Sequence, residues 1–178
     1  MIDVYEYYER VWGPPSREAE FTISGIPIEI YKWDEKATDM GATLYATNGA
    51  SARPASYTHR TEFFTGFTSE IDSIADSLAL LAHYAVAVGP IERGETVTFP
   101  DPLWEGSRMN TYFAIPPLET ILAPLRIDEG LHIEFLHVVP IYPCELDLKK
   151  AHGAEWLLGE INDAGLSASD PFRVSCCA

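Results

Sequence analysis

Between Leu131 and Leu158 the chain reads LHIEFLHVVPIYPCELDLKKAHGAEWLL, and the first half of that stretch admits few folds. Ile133, Phe135, Leu136, Val138, Val139 and Ile141 put apolar side chains on both sides of one extended run, which suits a central strand covered on both faces. Pro140 and Pro143 end the ladder, because neither has a backbone N–H to donate. A short helix is expected next. Glu145 and Asp147 fall in its first turn, Lys149, Lys150 and His152 in its last, and Gly153 at its cap, the charge order that a helix dipole favours. The other elements must then cover a buried strand that runs into a helix.

Upstream, residues 2 to 12 space Val4, Tyr8 and Val11 as a helix that Gly13, Pro14 and Pro15 stop. Ala19 to Ser24 and Ile26 to Trp33 read as strands joined at Gly25, with Ile28, Ile30 and Lys32 facing one way and Glu29, Tyr31 and Trp33 the other. Gly41 to Thr47 is a strand ending at the turn dipeptide Asn48-Gly49. Ser51 to Ser56 is loop, and Tyr57 to Phe67 is another strand. From Thr68 to Val88 runs the clearest helix: Ile71, Ile74, Ala75, Leu78, Leu81, Ala82 and Ala85 share a face, Ser69 and Asp72 suggest a capping box, and Gly89-Pro90 closes it. Gly94 to Phe99 and Met109 to Ile115 are strands around a loop, and Pro116 to Ile127 is a connection with one helical turn. The expectation is a single α+β domain over residues 1–178. It has a mostly antiparallel mixed sheet of about six strands, the 69–88 helix across one face, shorter helices at the ends and an irregular tail from 165.

Charge narrows the choice of partner. Twenty-seven acids against twelve bases leave a net charge of −15, which repels nucleic acid and anionic membrane surfaces and suits a basic protein. The apolar tract from Leu78 to Val88 falls short of the roughly 20 residues that cross a bilayer, and MIDVYEYYERVWG is too acidic for a secretory signal. Three cysteines, two of them adjacent at 176 and 177, make no disulfide framework. A reducing, cytoplasmic setting is expected.

The motifs that announce common chemistries are missing. The sequence has no nucleophile elbow, phosphate-binding glycine loop, His-Glu-x-x-His or Cys-x-x-Cys, and neither cofactor nor metal is expected. His59, His83, His132, His137 and His152 are scattered, and 132 and 137 fall on opposite faces of one strand. Glu62 and Glu134 in apolar strands allow an acid/base pair to be imagined; the plainer reading has them in solvent or paired with Arg60 or Arg126. Cys144 opens a helix without a partner base. Trp104, between Asp101 and Glu105 in a proline-containing loop, is the candidate anchor for a protein partner; the alternative is that it tucks back onto its own domain.

HIEFLHVVPIYPCELDLKKAHGAEWLL resembles the C-terminal part of the suppressor-of-fused domain, in which an apolar strand enters a Pro-containing turn, a charged helix and a Leu-rich helix. GATLYATNGAS, the Glu62-Phe63-Phe64 stretch, IADSLALLAHY and the loop before Met109 resemble further segments of that family in the same order, over roughly residues 25 to 165. The tryptophan usual before the long helix is missing here. The resemblance implies a non-catalytic protein-binding domain. In its small bacterial form it implies an immunity protein that neutralises a toxin, one with a basic surface in keeping with the charge. The alternatives are a regulatory adaptor and an undescribed enzyme using buried carboxylates.

Overall fold

A computed structural model describes residues 3–38, 40–52, 59–117, 121–128 and 130–177. Strand β8, Leu131–Ile141, is the axis. On one edge it pairs in parallel with β4 (His59–Phe67); on the other, antiparallel, it pairs with β7 (Leu125–Asp128) near its start and β6 (Thr111–Ile115) near its end. The sheet continues outward from β4 through β3 (Thr43–Asn48) and β2 (Ile26–Trp33) to β1 (Arg17–Ile23). From β6 it ends at β5 (Thr96–Thr98).

Both faces are covered, as the unbroken apolar run of β8 demands. Helix α2, Ile74–Ala87, lies on one face, where Leu78, Leu81 and Ala82 pack with Ile28, Ile30, Phe63, Leu136 and Val138. The opposite face is shared. Helix α1, Val4–Trp12, sets Tyr8 and Trp12 against Trp33, Phe64 and Phe135, while α3 (Pro143–His152) and α4 (Ala154–Asp163) close over Phe113, Val139 and Ile141. Asp3 caps α1 by accepting from the Glu6 N–H at 2.7 Å.

Three expectations need correction. Among the described residues the sheet has eight strands rather than about six: Leu125–Asp128, expected as part of a connection, pairs with β8 across a register shift at Arg126/Asp128. The long helix begins at Ile74, because residues 68–73 are spent on tertiary bonds. Thr68 N–H reaches Ser169 O at 2.8 Å, Ile71 N–H reaches the Tyr45 hydroxyl at 2.9 Å, and Asp72 takes Lys32 at 2.8 Å and Arg17 at 2.7 Å instead of forming a capping box with Ser69. Finally, Pro140 does not end the ladder: it pairs with Tyr112 and β8 runs on to Ile141, because its missing N–H faces the edge that β4 leaves after His137. The tail beyond 165 is irregular and is bonded into the fold, as described below. Residues 53–58, spanning most of the expected 51–56 loop and the first residues of the 57–67 strand, and 118–120 of the expected 116–127 connection lie outside the described residues. No helix among the described residues is long and apolar enough to cross a membrane.

Candidate interaction surface

The imagined acid/base pair does not assemble. In the β4–β8 register Thr61 lies opposite Glu134 and Glu62 opposite Phe135, so strand alternation sends the two glutamates to opposite faces of the sheet. Neither has the surroundings expected of it. Glu134 binds Arg93 rather than Arg60 or Arg126. Glu62 is 0% exposed and accepts from neutral donors: the hydroxyls of Thr47 (2.5 Å) and Ser51 (2.6 Å) and the N–H groups of Gly49 (3.0 Å), Ala50 (3.3 Å) and Ser51 (2.9 Å). These bonds fold the chain after Asn48 back onto β4. Gly49 serves the same turn at φ +134°, where a Cβ would meet Pro27 O at 2.8 Å. Burial pushes the Glu62 carboxyl above the ordinary glutamate value, and its donors offset only part of that shift.

Among the described residues one histidine comes near either carboxylate: His59 Nε2 lies 3.9 Å from Glu134 Oε2. His59 and His132 face each other across β4 and β8 with ring centroids 6.3 Å apart, and His137 stacks on Phe64, where burial pushes its imidazole down to about 4. Among the described residues no group of three or more His, Cys, Asp or Glu could hold a metal ion. Cys144, Cys176 and Cys177 are all free thiols.

Trp104 is 5% exposed and packs its ring 5.4 Å from Phe67, with Leu103 buried beside it. It floors a groove instead of projecting as an anchor, because the bond from Leu103 N–H to Met109 O folds the loop inward. Asp101 and Glu105 remain exposed. The groove has a volume of about 500 Å³, with Glu70 and Asp72 before α2 on one wall, Glu105 and Arg108 on another, and Phe172 and Val174 on the third.

That third wall escapes a sequence reading. Phe172 and Val174 are 70% and 59% exposed, while Arg173 between them is buried against Glu145. The guanidinium donates to both Glu145 oxygens, at 2.6 and 2.7 Å, and to Pro140 O at 3.0 Å; the Tyr142 hydroxyl returns a bond to Arg173 O at 2.5 Å. Burial opposes ionisation of Glu145, but Arg173 and the N–H groups of Tyr142 and Cys176 outweigh it and hold the carboxyl below the ordinary range. Two apolar side chains are thereby displayed on an anchored backbone. The only sequence cue is the alternation Phe-Arg-Val, too short to register as a period.

Comparison with known proteins agrees over nearly the whole chain. The family model described as Suppressor of fused protein (SUFU) matches residues 24–173. A SUFU homologue from Neisseria gonorrhoeae FA 1090 superposes with a TM-score of 0.72 at 19% identity, covering 96% of this chain and 92% of its own. The structure of the Sufu–Fu complex matches with a TM-score of 0.69 at 12% identity, over 97% of this chain and 90% of that one. Drosophila Suppressor of Fused matches with a TM-score of 0.70 at 12% identity, over 98% of this chain but only 50% of its own. No curated protein matches in sequence.

Proposed function

Because this chain belongs to the suppressor-of-fused family, we propose that it is a non-catalytic protein-binding domain that acts as a regulatory adaptor. The observation that carries the reading is that the same fold, over 97% of this chain, is found in a structure of a complex with a protein, Fu. The chain's own chemistry is compatible with it, since Glu62 and Glu145 are occupied in holding backbone. The groove is the proposed contact: Trp104 as floor, Glu105 on its rim, and Asp101 at the start of the same loop. We place the domain, residues 1–178 as one unit, in the cytoplasm; its three free thiols suit a reducing compartment.

The test is capture of proteins from the native host on the tagged full chain, compared with a Glu105→Arg, Phe172→Ser variant. Proteins lost with the variant support the groove. Capture of none above background by the wild type would sink the adaptor reading.

A narrower form of the proposal is an immunity protein that neutralises a toxin. It is favoured by the Neisseria homologue, which matches over 92% of its own length without an additional domain of similar size, and by the net charge of −15. Co-expression with the toxin encoded beside it should restore growth. A cell killed equally with and without this chain would remove that form while leaving the adaptor reading intact.

A further inference from the structure

β1 is the outermost strand on its side of the sheet, and among the described residues nothing pairs with its outer edge. Edge strands are usually blunted by charged side chains, by proline, by a bulge or by shortness. β1 has only the first, in Arg17, Glu18 and Glu20, which discourages pairing with another acidic edge and not with a basic one; REAEFTI is seven residues long, has no proline and registers without a break from Arg17↔Lys32 to Ile23↔Ile26. Its ladder is therefore a ready template for another strand.

The two faces of that edge differ in chemistry. On the α1 side Glu18 and Glu20 are exposed, and Glu20 lies directly opposite Glu29. Like charges opposed in this way cost stability, and among the described residues the groups that bond Glu29 are neutral, the Tyr31 hydroxyl and Asn48 Nδ2. On the α2 side Phe21 and Ile23 are half-buried against the core. Beside them is a cavity of about 110 Å³ in which Ala19, Ile30 and Ala75 meet the charged groups of Arg17, Lys32 and Asp72, the two cations both paired with Asp72. Asp72 also lines the groove of the proposed contact, so the cavity beside the edge and the groove share a wall residue.

We propose that the free edge of β1 takes up, as an added strand, an extended segment of a protein partner in which Lys or Arg alternates with apolar residues. The partner's basic side chains would lie over Glu18, Glu20 and Glu29, relieving the Glu20–Glu29 opposition, and its apolar ones beside Phe21, Ile23 and the cavity. A second copy of this chain is a poor occupant, because antiparallel pairing of two β1 strands brings glutamates together. The inference rests on the protein-binding reading and specifies where and what the domain binds.

The probe is a capped heptapeptide, Lys-Val-Lys-Val-Lys-Val-Lys, titrated into the isotope-labelled full chain. Amide shifts and slowed exchange should concentrate in Arg17–Ile23. A block peptide of the same composition, four Lys then three Val, should bind at least about tenfold more weakly, as should the alternating peptide to the exposed double variant Glu18→Lys, Glu20→Lys. Equal binding of the block peptide would mean charge alone. Protection outside β1, or no saturable binding, would equally overturn the proposal. Host-protein capture that survives the double variant would sink this edge while leaving the adaptor reading in place.

Discussion

Glu62 and Glu145 are both 0% exposed, and their carboxyl groups are displaced in opposite directions. Glu62 is held by neutral hydroxyls and backbone N–H groups. Glu145 has two neutral donors, the N–H groups of Tyr142 and Cys176, plus a cation, Arg173. Hydrogen bonds from neutral donors therefore do not fully compensate the removal of an anion from water here, whereas a buried guanidinium does. The placement matches the task. Glu62 closes a turn between strands already adjacent in the sheet, while Glu145 recruits a segment 28 residues away and holds two apolar side chains in display.

The sharpest way to break the comparison is to take the cation away. Arg173→Ala leaves Glu145 buried and unpaired, which should cost about 3–5 kcal/mol in urea unfolding. The double variant Arg173→Met, Glu145→Leu should recover most of that loss, since replacing a whole buried ion pair with apolar side chains is often neutral. A double variant as unstable as Arg173→Ala would show that the hydrogen bonds, not charge balance, hold the tail. Next in size is Glu62→Gln. The amide turns two N–H donors toward groups that already donate, Ala50 N–H and the Thr47 hydroxyl or its partners, at a cost of about 2–3 kcal/mol. A thermal midpoint unchanged by this substitution would mean that the cage rearranges freely.

Truncation after Val174 should cost about 1–2 kcal/mol, because it removes the bond from Cys176 N–H to Glu145 Oε1 at 3.0 Å. On sequence alone this tail, without periodicity, is expected to be dispensable. The contrast with 131–158 is instructive. There, most local signals agree: Pro143 opens α3, an acid lies in its first turn and a glycine ends it, and α3 and α4 lie where the pattern puts them, although Pro140 does not stop the ladder and β8 runs on to Ile141. Legibility fails where a residue's role is decided by distant partners. Glu62 draws its donors from residues 47–51, Asp72 is claimed by Lys32 and Arg17 instead of its own helix, and Trp104 is pulled under its loop although acids flank it. Of the expected interaction site, Asp101 and Glu105 are exposed as the loop composition implies; Phe172 and Val174, apolar and also exposed, carry no comparable signal.

The smallest effect, and the one that reads the comparison most directly, is the pH dependence of stability. Glu62 titrates in the folded protein above the ordinary value of 4.5, so the folded state holds that proton more tightly than the unfolded chain. Its contribution is fully present below 4.5 and is lost as pH rises toward its own raised value. Glu145 titrates below 4.5, so its contribution is present above that value and is lost as pH falls through its depressed one. The stability difference between wild type and Glu62→Gln should therefore shrink as pH rises above 4.5. The difference between wild type and Glu145→Gln should grow with pH below 4.5 and then level off. Urea unfolding across this range measures both slopes, and a carbon-detected NMR titration of the two carboxyl groups reads the same displacements without any substitution. Slopes of the same sign would mean that the neutral cage around Glu62 stabilises its anion as Arg173 stabilises that of Glu145, and the distinction between the two sites would collapse.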